Sequence, residues 1–306
     1  MQKRIILQLL GTTLSFLALG VVIDLSQLIS EISNLHLLIL IIILISTLLR
    51  LLICSMRCLR AFSETDQLDL RLTIEGYLVS SYASLFLPTA IGGDAVRVEF
   101  LSQRGNLSRA RSAAVVLVER VCGLFGMLFL AIMAILYIPT ILENGRAYFR
   151  MISLCLLILI LLAFFVRNLN PIKTSLNWWA DFTTSFKKIS SPRKFSELVT
   201  WSLFAHFAGL AIPFSVGLMH EGGSLDTALK MSAITPIVWL ITMLPISLGG
   251  NGLREISFVG IADLIGLNEI IALTAALCIT VSNILPSIFG AYSVNRWGRK
   301  HLQSLE

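Results

Sequence analysis

Charge is scarce in this sequence. Only 14% of its 306 residues are Asp, Glu, Lys or Arg, where a soluble globular domain carries roughly a quarter. That argues against a soluble enzyme, and a hydrophobic content of 56% argues equally against disorder. With 8 prolines and 20 glycines, low-complexity sequence is not the explanation. Cysteine is sparse too. Cys54, Cys58, Cys122, Cys155 and Cys278 form no CxxC, and His36, His206, His220 and His301 are scattered. No zinc or iron–sulfur spacing results, so the cysteines read as small apolar residues and no metal or other cofactor is expected. Also missing are a P-loop, GxSxG, HExxH and a dinucleotide fingerprint. The chain is therefore expected not to be an enzyme and not to drive transport by its own ATP hydrolysis.

What is present is a series of long apolar runs. A helix needs roughly 20 apolar residues to cross a bilayer. Ile5–Ile23, Leu35–Ser55, Ala113–Ile138, Met151–Val166, Leu198–Leu218 and Ile270–Val294 fit that length or approach it. The formal net charge of +6 comes from basic residues set between these runs. That pattern reads as membrane orientation, not nucleic-acid binding.

Two further stretches, Thr73–Gly93 and Met231–Gly250, are apolar but broken by Pro and Gly. Lys3 and Arg4 place the start inside, and Asp24 and Glu31 place the first loop outside. Arg57, Arg60 and Arg71 precede the first broken stretch, while Arg97, Arg104, Arg109 and Arg111 close or follow it. Both of its ends then lie inside, so it dips into the membrane and returns. The long loop with Lys173, Lys187, Lys188, Arg193 and Lys194 is inside, as are Arg296, Arg299 and Lys300 at the end. Met231–Gly250 must then begin and end outside. The expected fold is an all-α polytopic membrane protein with six crossings, two re-entrant hairpins and both termini cytoplasmic, in the inner (plasma) membrane.

The broken stretches resemble each other. Leu87-Pro88-Thr89-Ala90-Ile91-Gly92-Gly93-Asp94-Ala95-Val96-Arg97 aligns without gaps on Leu244-Pro245-Ile246-Ser247-Leu248-Gly249-Gly250-Asn251-Gly252-Leu253-Arg254, at an offset of 157. The same offset carries the second span onto the fifth and the third onto the sixth. The chain thus reads as a single transmembrane domain made of two inverted repeats, about 1–140 and 147–296. Such repeats are common in transporters, whose substrate sites lie near the midplane where helices are broken.

Irregular backbone at membrane depth needs protein or a wet cavity around it. Pro88 and Pro245 stop helical hydrogen bonding, and Gly92-Gly93 and Gly249-Gly250 permit a tight reversal. If a helix starts after each Gly pair, Asp94 and Asn251 are its N-caps and Arg97 and Arg254 sit in its first turn. Helix N-termini and guanidiniums both favour phosphate. The competing reading pairs each Arg with Glu99 or Glu255, or lets it snorkel to headgroups. Glu119 and Arg120 are neighbours inside the third span, so they point apart and each needs a partner, either substrate or an ion pair with Arg97 or Glu99. Arg50 reads as a snorkelling residue, His206 as a core histidine or a proton relay, and Glu75 as rim or pathway. Residues 171–195 carry Trp179, Phe182, Phe186 and Ile189 at helical spacing beside lysines, as in a cytoplasmic helix lying at the interface.

LFLPTAIGGDAVRVEFLSQR, SAAVVLVERVCGLFG and ITMLPISLGGNGLREISF resemble the transmembrane region of lysylphosphatidylglycerol synthases, shared with free-standing flippase-like membrane proteins. The resemblance covers nearly the whole chain and falls on Gly92, Gly93, Asp94, Arg97, Glu119, Arg120, Gly249, Gly250, Arg254 and Glu255. Asn251 departs from the Asp of the first motif. The resemblance implies movement of an aminoacylated phospholipid, or in some relatives a lipid-linked sugar, between leaflets. The full-length synthase adds a cytoplasmic aminoacyl-transferase domain. This sequence closes at Glu306, so that activity is not expected here. The implied partners are a phospholipid or lipid-linked substrate and the membrane. A separate cytoplasmic lipid-modifying enzyme and a homodimer stay open. An ion-coupled transporter of a small solute using Glu119 or His206, a lipid-modifying enzyme using Asp94 and Glu119, and a partner subunit remain as alternatives.

Overall fold

The computed structural model describes residues 12–15, 17, 19–20, 25–33, 35–62, 68–87, 90–138, 177–220, 222–243 and 247–303. All regular structure among them is helical. In chain order the helices are α1 (Leu25–Ser33), α2 (Leu37–Ala61), α3 (Leu70–Phe86), α4 (Ala90–Arg104) and α5 (Arg109–Tyr137). They continue with α6 (Asn177–Ile189), α7 (Pro192–Met219), α8 (Leu225–Thr242), α9 (Leu253–Leu264) and α10 (Glu269–Gln303).

Five of them, α2, α5, α7, α8 and α10, are long and apolar enough to cross a membrane. Four match spans expected from the sequence. The fifth, α8, is the first part of the second broken stretch, and at 18 residues it is the shortest. Of the expected first span, the described residues 12–15, 17 and 19–20 are helical. Met151–Val166, Pro88 and Pro245 lie outside the described residues. The apolar character does not stop at the protein interior. On α2, Leu38, Ile41, Leu44, Ile45, Leu48 and Leu52 are all exposed. A helix in water would not leave such a surface bare, whereas a bilayer covers it.

The contacts fall into two compact units. One holds residues 48–125, 162–205 and 283–306, and with them α3 and α4; the other holds 1–47, 126–161 and 206–282, and with them α8 and α9. We call them the first-hairpin and second-hairpin units. In the first, α3 packs against α4. Its core gathers Cys58, Val79, Phe100, Leu101, Val115 and Cys122. Phe182, Phe186 and Ile189 of α6 join that core, so the apolar face of this amphipathic helix is turned to protein. In the second unit, α8 packs against α9.

Local chemistry sets the helix starts. Asp69 Oδ1 accepts the Leu72 amide at 2.8 Å and caps α3. Ser224 Oγ accepts the Thr227 amide at 3.1 Å and caps α8. At α9, Glu255 Oε2 reaches back to the Gly252 amide at 2.6 Å.

Two expectations need correction here. Arg57, expected to follow the second span, lies within its helix: α2 runs on through Ala61 and Arg57 is buried. Nothing between Ser55 and Ala61 breaks a helix, so the end of apolarity is not the end of the helix. Nor does Gly92-Gly93 make the first reversal. α4 already begins at Ala90, so Asp94 is its fifth residue rather than its cap, and Arg97 lies beyond the first turn. The glycines instead let two helices touch. A Cβ on Gly93 would stand 2.0 Å from Ser84 Oγ and 2.6 Å from the Ser80 carbonyl. The second pair does reverse the chain, with Gly249 at φ +61° and Gly250 at φ +81°. The cap of α9 is Gly252, one residue past Asn251.

Candidate functional site

The first-hairpin unit holds a buried ion network. Glu119 on α5 is its centre, 1% exposed. Its Oε1 accepts the Tyr77 hydroxyl at 2.7 Å and Arg57 Nε at 3.3 Å. Its Oε2 faces Arg97 Nη2 at 3.1 Å, an ion pair without hydrogen-bond alignment. Arg57 also donates to Ser202 Oγ at 2.8 Å and to the Tyr77 oxygen at 3.2 Å. The Arg97 guanidinium sits 4.2 Å from the centre of the Tyr77 ring, a cation–π distance.

Arg120, next to Glu119, points the other way. Its side chain is 52% exposed, and it grips Asp94 with two donors at 2.6 and 2.9 Å. Asp94 Oδ1 is also 3.7 Å from Arg97 Nη2. Among the described residues three guanidiniums thus meet two carboxylates, one positive charge in excess. Arg97 is 2% exposed, and its Nε and Nη1 find no hydrogen-bond partner among the described residues. A buried charge costs roughly several kcal/mol of desolvation unless it is paired, and a buried donor without an acceptor calls for an explanation.

The second-hairpin unit has a smaller cluster. Arg254 Nη1 donates to Thr280 Oγ1 at 2.7 Å and lies 3.5 Å from Asn251 Oδ1. Arg254 Nη2 approaches the Gly249 carbonyl at 3.4 Å. Thr280 in turn donates to Glu255 Oε1 at 2.6 Å, and that oxygen is 3.9 Å from Arg254. Among the described residues Glu255 is the one carboxylate paired with Arg254. At the offset of 157, Arg57, Tyr77, Glu119 and Arg120 correspond to Phe214, Ile234, Ala276 and Leu277. The network has no polar equivalent at those positions.

The structure therefore brings together Asp94, Arg97, Glu119 and Arg120 in one unit, and Asn251, Arg254 and Glu255 in the other. It separates Glu99, whose carboxylate is held by Arg109 at 2.6 and 2.7 Å. Arg50 donates to Asn283 Oδ1 at 2.7 Å, and the His206 ring stacks at 5.4 Å on Trp239. Glu75 meets Arg71 at 3.3 Å and Arg296 at 3.9 Å, at a groove of about 550 Å³ between α3 and α10. Phe289 and Tyr292, both exposed, line that groove. Among the described residues no three His, Cys, Asp or Glu side chains gather so as to hold a metal ion.

Sequence reasoning missed Arg57, Tyr77, Ser202 and Thr280. For Arg57 a signal existed: it lies seven residues after Arg50, two helical turns, hence on the same face. A lone Tyr, Ser or Thr in an apolar run gives none.

A family model described as lysylphosphatidylglycerol synthase TM region matches residues 8–290. No curated protein matches the chain.

Proposed function

This chain belongs to the lysylphosphatidylglycerol synthase TM-region family, and on that premise we propose that it moves a phosphate-bearing lipid across the cytoplasmic membrane, as a flippase or scramblase. The lipid would be an aminoacylated phospholipid or a lipid-linked sugar. One observation carries the reading: the surplus positive charge at Arg97, buried, with two N–H groups lacking a protein acceptor among the described residues. A phosphate oxygen is the acceptor that would satisfy those groups and neutralise that charge. The exposed Arg120 stands where an entering headgroup would first meet the network. Acyl chains stay in lipid, along surfaces such as the groove beside Phe289 and Tyr292.

The membrane arrangement follows from the same reading. At 15 and 12 residues, α4 and α9 are too short to span. Each packs back on the helix before it, as the second arm of a re-entrant hairpin would. With six crossings, the hairpins form an inverted repeat and both termini are cytoplasmic. The chain makes and breaks no covalent bond on this reading, because Asp94 and Glu119 are engaged by guanidiniums. The partners called for are the lipid and the enzyme that modifies it.

The test uses the purified protein in liposomes carrying fluorescent phospholipids or polyprenyl-phosphate sugars, with a membrane-impermeant quencher. Headgroup-selective movement should be lost in Arg97→Ala and partly kept in Arg97→Lys, both checked by melting temperature. Wild-type rates in a folded Arg97→Ala protein would end the proposal. Ion-driven uptake of a soluble solute, with no lipid movement, would replace it with secondary transport.

A further inference from the structure

The groove between α3 and α10 belongs to the first-hairpin unit but is lined by residues other than those of the Arg97 network. Its volume of about 550 Å³ falls within the roughly 300–1,000 Å³ of small-molecule sites. Both walls change character along their length. On α3, Leu78 gives way to Glu75 and Arg71 toward the start of the helix. On α10, Ile288 and Phe289 give way to Tyr292, Ser293 and Arg296. The helices run antiparallel here, since Glu75 meets Arg296 while Leu78 lies against Gly290. The apolar ends of the two walls therefore coincide, and so do the charged ends. A Cβ on Gly290 would run into the Leu78 carbonyl, so the two backbones touch and fix the width of the groove.

From Ile288 to Arg296 the gradient covers about 12 Å at the helical rise. Ile288, Phe289 and Tyr292 are exposed, an apolar surface that lipid covers. Arg296, Arg299 and Lys300 end the apolar part of α10, which puts the charged end at the depth of lipid headgroups. There Glu75 Oε1 accepts Arg71 Nε at 3.3 Å and lies 3.9 Å from Arg296 Nη1. A carboxylate is thus set between two guanidiniums. The guanidiniums attract a phosphate. The carboxylate repels a second negative charge and offers acceptors to an ammonium. A primary ammonium can donate to it, and a trimethylated one cannot.

We infer that this groove is a binding site for a zwitterionic phospholipid of the ethanolamine type. One acyl chain lies along Leu78, Ile288 and Phe289, the phosphate meets Arg71 and Arg296, and the ammonium meets Glu75. The inference concerns binding and does not rest on lipid translocation, which was argued from Arg97.

The test places the full-length protein in nanodiscs with equal parts of phosphatidylethanolamine, phosphatidylglycerol and phosphatidylcholine. Native mass spectrometry then identifies the lipid retained on release. Phosphatidylethanolamine should be retained over both others. Glu75→Gln should cut that preference by at least about tenfold, the worth of one hydrogen bond to a charged group. Arg296→Gln and Phe289→Ala should weaken retention of all three lipids, which share a phosphate and acyl chains. Lys187→Gln, exposed on α6 and outside the groove, is the control and should change nothing. Melting temperatures check that each variant is folded. Equal retention of the three lipids, a preference for phosphatidylglycerol, or a preference that survives Glu75→Gln overturns the inference. So does a dimer that Phe289→Ala dissociates, which would give the groove to a second copy of the chain. Selective retention in a protein that moves no lipid supports the site and counts only against translocation.

Discussion

The segments 87–97 and 244–254 share five residues in eleven, including both glycines and the arginine, and the two units use them differently. Around α4 the glycines are helical and act by being small, because Leu87 occupies the space a side chain on Gly92 would need and Ser80 and Ser84 of α3 the space at Gly93. Before α9 they are left-handed and act by being flexible. The arginine follows suit. Arg97 is the eighth residue of its helix and reaches α5, whereas Arg254 is the second residue of its helix and folds back toward Gly249. The surroundings diverge further, from a five-charge network with a surplus cation to one balanced pair bridged by Thr280. A shared motif thus fixes letters, while the start of the following helix decides what the letters do.

The sharpest way to break this comparison is Glu119→Ala. Arg57 and Arg97 would lose their common anion, and we expect a loss of about 3–5 kcal/mol, the cost of orphaning a buried charge, read as a large fall in melting temperature. Ala276→Ser at the matching place should leave stability nearly unchanged; a comparable fall would show that the second unit is equally intolerant there. The glycines come next. Gly93→Ala should cost roughly 2–3 kcal/mol by overpacking, partly restored by adding Ser84→Ala, since the hydroxyl is the nearest clash. Gly250→Ala should cost about 1–2 kcal/mol from the left-handed backbone, with no rescue by trimming neighbours. Equal responses to trimming would erase the distinction.

Thr280→Val probes the neutral cluster. It removes the hydroxyl that Arg254 and Glu255 share, and about 1–2 kcal/mol should be lost without any change in ligand specificity. A change in specificity would move the binding role to the second unit. The smallest effect is expected for Glu99→Gln. Its pairing with Arg109 is exposed, so melting temperature and the proposed lipid movement should both stay at wild-type values. A loss of transport would bring Glu99 back into the site.

Much of this was legible in the sequence, and the reasons for the rest are physical. Long apolar runs announced α2, α5, α7 and α10, because lipid and protein core both reward continuous apolarity. Glu119 and Arg120 announced themselves as charges at membrane depth, and adjacency on a helix said they must diverge. The start of α4 was hidden because a Gly pair after Pro reads as a turn, while only a neighbouring helix shows that it serves close packing. Arg57 was hidden because a cation at the edge of an apolar run reads as a loop residue. Glu99 was misleading for a similar reason: nearness in sequence to Arg97 says nothing about Arg109, which reaches it instead.

The way Glu119 is held has an evolutionary consequence. One carboxylate takes up Arg57 from α2, Tyr77 from α3 and Arg97 from α4. Losing any one strands the others, so no single replacement leads downhill away from the set. At the offset of 157, Phe214, Ile234 and Ala276 are apolar, while the arginine stays as Arg254 and meets Thr280 and Glu255 instead. Descendants of such a chain should keep the quartet, or lose Arg57, Tyr77 and Glu119 together and give the arginine a new anion. Lineages caught with a partial set should be rare and should carry a compensating change beside it.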